Sequence, residues 1–207
     1  MVILGQACIA SSCIYVQKGI HNKFLEEISK CAKTIVKATS GLFDKGTLHG
    51  PQVLQTQYDH IIGYINSRKL ERAKICTSKE RHSEKGYFIK PTVFVDAKPS
   101  IKIMWEEIFS PVCSVVKFKT EKEVIEWAND TTYSLATNIL TENSAHAIYI
   151  VNALEASNVT VNCTFSTDVS MPFSRYKQSG IGREFGQEAL DIYTQVKAVH
   201  INIGQVL

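Results

Sequence analysis

The sequence predicts an α/β domain with a mostly parallel sheet flanked by helices. Strand-like runs rich in β-branched residues alternate along the chain with helix-like runs, the pattern that packs helices over a parallel sheet. Two long helical runs carry their apolar residues at helical spacing, on one stripe. Turn-forming and charged segments separate the runs, with no internal repeat or low-complexity stretch between them.

Residues 13–16 fit a short buried strand or the end of a helix, and four residues alone do not decide. Residues 21–39 predict a strong amphipathic helix, because Phe24, Leu25, Ile28, Cys31, Ala32, Ile35 and Val36 share one face. Gly41 is expected to end it by taking positive φ. Residues 52–69 predict a second helix with Val53, Tyr58, Ile61, Ile62 and Ile65 turned inward. Residues 73–77 read as a strand, and the charged stretch 78–85 as a loop closing at Gly86.

Residues 92–95 and 112–118 are strands by their β-branched content. Residues 120–129 are a helix, with Thr120 and Glu123 at capping-box spacing. A strand at 136–140, a helix at 144–154 and a strand at 158–161 follow. Residues 166–182 are turn-rich and 184–193 a short helix. Val199, Ile201 and Ile203 alternate with His200 and Asn202, which predicts a half-exposed last strand.

At 207 residues the chain suits one domain with a small appendage. A net charge of +3, its signs interspersed, argues against a nucleic-acid partner. Cysteines stand at 8, 13, 31, 76, 113 and 163, with neither C-x-x-C pairs nor zinc-spaced Cys/His clusters, so no metal site is expected. They are too sparse for a disulfide scaffold, which predicts a reduced, cytoplasmic setting. The apolar run 2–4 has no basic segment before it, and no stretch reaches membrane-spanning length. Neither a signal peptide nor a membrane partner is therefore expected. The Asn-x-Ser/Thr matches at Asn129, Asn158 and Asn162 read as chance.

Three segments carry chemistry. In Gly5-Gln6-Ala7-Cys8-Ile9-Ala10 a glycine permits a tight turn before a cysteine. That thiol is either a nucleophile, if a helix end or a cation lowers its pKa, or a buried structural cysteine. In Trp105-Glu106-Glu107-Ile108-Phe109-Ser110-Pro111 a carboxylate could accept from sugar hydroxyls beside an aromatic, or the acids could be a solvated pair before a turn. In the segment 172–184, Gly180 and Gly182 before a helix suggest an anion cradle or a structural loop.

Taken together and in this order, these segments resemble the aldehyde dehydrogenase superfamily over roughly residues 5–204. Gly5-Gln6-Ala7-Cys8 and Glu106-Glu107-Ile108-Phe109 are the specific matches. Gly50-Pro51-Gln52, the segment 85–92, Val161-Asn162-Cys163 and the segment 177–184 support them. The resemblance implies that Cys8 attacks an aldehyde carbonyl as a thiolate, with its own N–H holding the oxyanion. Hydride then passes to NAD or NADP, and a thioester remains. Glu107 would bind the nicotinamide ribose hydroxyls, with Phe109 beside that end of the cofactor. Ile9 and Phe173 would face the substrate.

The resemblance also implies a catalytic domain over residues 1–193 and a C-terminal oligomerisation strand over 194–207, pairing with a like or related subunit. The family's coenzyme-binding Rossmann-like domain, its water-activating glutamate and its oxyanion asparagine have no counterpart assignable here, and residues 1–4 replace the usual lead-in to Gly-Gln. A truncated catalytic domain, inactive and aggregation-prone when alone, is expected. The alternative is a catalytically inactive remnant or a docking subunit of an intact relative.

Several glycines of the family pattern are also replaced. Serines stand at 11, 110, 134, 157 and 174, Arg175 follows Ser174, and Cys13 stands where an arginine is usual. Positive φ at the former glycine sites would cost about 1 kcal/mol each.

Overall fold

The computed structural model describes residues 5–39, 41, 43–71, 74–77, 86–97, 101–164 and 166–204. The expected loop at 78–85 and the altered lead-in at 1–4 lie outside them. The core is a four-stranded sheet in the order β1-β4-β3-β2, formed by β1 (Cys13–Gln17), β4 (Val112–Phe118), β3 (Thr92–Val95) and β2 (Lys74–Ile75). β1 and β3 run parallel to β4, with Cys13 opposite Ser114 and Thr92 opposite Val112; β2 is antiparallel to β3. The ambiguous segment at 13–16 is thus a strand, because its backbone is taken up by β4.

β4 is covered on both faces, which is why it reads as an unbroken run of β-branched residues. Alternation along the strands divides the core in two. Phe94 and Val112 face α2 (Gln55–Glu71), where Ile61, Tyr64 and Ile65 pack with Ile89, Ile103 and Ile108. Val93, Val95, Cys113 and Val115 face α1 (His21–Lys37), which contributes Phe24, Leu25 and Ile28. The predicted stripe of α1 is real, but its Cys31 is exposed.

Helix ends differ from expectation. α1 stops at Lys37, where the N–H of Ala38 bonds back to Thr34 and Ile35, and Gly41 is not among the positive-φ residues. Thr39 instead leaves the helix to bridge His49. α2 begins at Gln55, because the Gln52 N–H is drawn to the Tyr87 carbonyl at 2.9 Å and that of Val53 to the Gln6 side chain at 3.1 Å. Val53 is exposed rather than inward. A short helix, α3 (Lys102–Trp105), was not predicted; it leads into the 106–111 loop.

α4 (Glu121–Asn129) has the expected capping box, with the Thr120 Oγ1 accepting from the Glu123 N–H at 3.2 Å. β6 (Ala136–Ile139) and β7 (Asn158–Val161) pair in parallel, joined by α5 (Ser144–Ala153). β5 (Tyr133–Ser134) pairs antiparallel with β8 (Tyr176–Lys177), a strand inside the predicted turn-rich loop. One mostly parallel sheet was expected. The described strands instead form a four-stranded mixed sheet and two separate pairs, because β6 and β7 satisfy each other through their own crossover.

The predicted helix at 184–193 is a 3-10 turn, Gln187–Ala189, followed by α6 (Leu190–Tyr193). Val199, Ile201 and Ile203 form no strand and are exposed, since no neighbouring backbone pairs with theirs. The feared backbone strain at replaced glycines is also not incurred. Among the described residues, the non-glycine positions at positive φ are Asp96, Phe109, Asn162, Lys177 and Phe185, and none is a replaced glycine. The serines at 110, 134 and 174 are instead buried, each with a hydroxyl that finds no partner.

Candidate active site

Cys8 sits at the corner of a turn closed by the Ala10 N–H on the Ala7 carbonyl at 2.9 Å, and it is exposed. Gly5 decides what that turn faces. Its φ is +75°, and a Cβ there would lie 1.8 Å from the Ser110 carbonyl oxygen. Only a residue without a side chain lets the cysteine turn lie against the 106–111 loop. Two segments distant in sequence are thereby joined.

Cys8, Glu107 and Phe109 line one cavity of about 360 Å³, shared with Ser11, Cys113 and Thr164. The Glu107 carboxylate is exposed and makes no hydrogen bond or ion pair among the described residues. Phe109 leaves 38% of its surface open, at φ 56°. A free carboxylate beside an open aromatic ring suits a sugar bearing a flat ring. Among the described residues no group of three His, Cys, Asp or Glu side chains could hold a metal ion.

The loop is anchored from α2. The Gln57 Nε2 donates to the Ile108 carbonyl at 3.0 Å and to the Phe109 carbonyl at 2.9 Å. The Tyr64 hydroxyl donates to Glu106, whose carboxylate also meets Lys102 at 3.4 Å. That hydroxyl holds the Glu106 carboxyl below the usual carboxylate range. Burial first, then the bond to Glu106, pushes the Tyr64 phenol up to about 12. Burial likewise pushes the Cys113 thiol up to about 12, so it stays a thiol at neutral pH while Cys8 lies open.

The aldehyde dehydrogenase family model matches residues 1–199. This chain belongs to the aldehyde dehydrogenase family. It is 48% identical over 199 residues to an aldehyde dehydrogenase of Agaricus bisporus, covering 96% of this chain and 39% of that protein. It is 42% identical to the mitochondrial aldehyde dehydrogenase of Homo sapiens, covering 97% of this chain and 38% of the relative. An NAD+ complex of the Bacillus cereus aldehyde dehydrogenase superposes with a TM-score of 0.94 at 39% identity, covering 98% of this chain and 41% of that one. The chain therefore spans about two fifths of the length of the relatives it matches.

Within this member of the family the five predicted site residues divide. Cys8, Glu107 and Phe109 come together on the cavity. Ile9 shares the cysteine turn, half-buried, but is not on the cavity wall. Phe173 is half-buried, its N–H bonded to the Glu184 carbonyl at 2.7 Å, and is not on the cavity wall. Sequence reasoning missed Gln57, Tyr64 and Thr164. The spacing of Gln57 and Tyr64, seven apart on the face that carries Ile61, was the available signal.

Proposed function

We propose that this chain carries the nucleophile and the cofactor-facing loop of an enzyme that oxidises an aldehyde to a carboxylic acid with NAD or NADP. The observation that supports this reading best is the single cavity shared by Cys8, Glu107 and Phe109, made possible by Gly5. The Cys8 thiolate forms a bond to the aldehyde carbon, and the carbonyl electron pair moves onto oxygen to give a thiohemiacetal oxyanion. The N–H of Cys8 donates to that oxyanion. A nicotinamide bound there would supply the hydride acceptor, which would leave a thioester on Cys8. Glu107 would hold the ribose hydroxyls of such a cofactor, with Phe109 beside them. Ile9, next to the nucleophile, borders the substrate, and Phe173, off the cavity wall, is given no contact with it. Water cleaves the thioester, and no residue of this chain is assigned as its base. The setting proposed is the cytoplasm.

The test is acylation. With p-nitrophenyl acetate the chain releases one burst of p-nitrophenolate, and peptide mass mapping finds the acetyl group on Cys8. Cys8→Ala abolishes both. Acetylation at another residue, with Cys8 untouched, sinks the assignment. A second reading, docking onto an intact relative, is favoured by the exposed apolar side chains of Val196, Val199, Ile201 and Ile203. Stable co-purification with such a relative, lost on Ile201→Lys, would support it.

A further inference from the structure

We infer that Gln57 is the positioning residue of this site, holding the 106–111 loop where Glu107 and Phe109 meet a nicotinamide ribose. The inference rests on the roles proposed above for those two residues. Gln57 is not on the cavity wall, so it acts through the loop. Its amide has two N–H donors, and both are spent on successive main-chain carbonyls, those of Ile108 and Phe109.

The peptide so gripped belongs to a residue in an unfavourable conformation. Phe109 has φ 56°, a left-handed geometry that an aromatic side chain rarely adopts and that surrounding contacts must enforce. Without the amide, the carbonyls of Ile108 and Phe109 lose their shared donor, and the backbone can relax to negative φ. That rotation carries the Glu107 carboxylate and the Phe109 ring away from their places.

The same helix makes the clamp rigid. Two turns after Gln57, Tyr64 bonds Glu106 at the start of the loop. Just before the helix, the Val53 N–H bonds the Gln6 side chain, two residues from Cys8. α2 and its lead-in therefore touch the cysteine turn and the loop at once and set the distance between them.

The experiment uses the full chain with Trp127→Phe, which leaves Trp105, beside the loop, as the fluorescent reporter. The probe is nicotinamide mononucleotide, titrated against wild-type Gln57, Gln57→Glu and Gln57→Asn. Glutamate keeps the shape but removes the donors; asparagine keeps the donors but falls one methylene short. Both variants are expected to weaken mononucleotide binding roughly tenfold and to shift the Trp105 emission. The rate of Cys8 alkylation by iodoacetamide stays unchanged, which a general loss of folding would not allow. Equal affinity in all three proteins overturns the inference alone. No response to the mononucleotide with wild-type Gln57 overturns the ribose-binding reading and the inference with it.

Discussion

Ser110, Ser134 and Ser174 show how a residue-level reading can be right about place and wrong about cause. Each stands where the family pattern has glycine, which suggested backbone strain. Their φ values are ordinary, and the burden is a desolvated hydroxyl without a partner. A buried polar group left unpaired costs more than the hydrogen bond it could have made. Ser134→Ala and Ser174→Ala should each therefore stabilise the protein by about 1 kcal/mol, read as a raised urea midpoint. A fall in midpoint would show that these hydroxyls are satisfied in solution. Ser157 is the contrast: its hydroxyl lies 2.9 Å from the Leu135 carbonyl and 2.6 Å from that of Ser174, so Ser157→Ala should destabilise.

At the scale of elements, the link between α2 and the 106–111 loop carries a pH signature. Glu106 is held below the usual range by the Tyr64 hydroxyl, so its contribution is present above its unfolded pKa and is lost as pH falls through the lower folded value. Tyr64 is raised, so its contribution is present below the ordinary tyrosine value and is lost as pH rises through about 12. Tyr64→Phe removes the bond, and the stability gap to wild type should be constant from about pH 6 to about pH 9. It should close below about pH 4 as Glu106 protonates. A gap that persists unchanged into acid would mean that packing, not the carboxylate bond, makes the difference. The elements that local rules govern were legible beforehand: the capping box of α4, and β3, β4 and β7 to the residue. Helix ends were not, because Gln52, Val53 and Thr39 are claimed by partners far along the chain.

For the molecule as a whole, the last part of the chain stands out. Val196, Ile201 and Ile203 are almost wholly exposed, 78% for Ile201 and 86% for Ile203, beside exposed Ile192 and Tyr193. Apolar surface of this extent favours association over solvation. The chain is expected to self-associate in sedimentation velocity, and Ile201→Lys with Ile203→Lys should shift it toward monomer. A monodisperse monomer before any substitution would refute this. In the presence of NAD+ and a short aliphatic aldehyde, the chain alone is expected to show no sustained NADH formation above the Cys8→Ala background. Sustained turnover would mean that a water-activating base exists among these residues.

The amino-acid sequence by itself determined the family, the α/β class and three of the residues that meet on the cavity, because motif identity and local periodicity are written in short stretches of chain. Only the tertiary structure decided that Gly5 lies against the Ser110 carbonyl, that Gln57 grips the loop bearing Glu107, and that three of the replaced glycines, at 110, 134 and 174, leave orphaned hydroxyls rather than strain. It also decided that residues 199–203 pair with no strand of this same chain. Those outcomes depend on contacts between residues far apart in the chain, and on backbone partners that alternation of side chains does not specify.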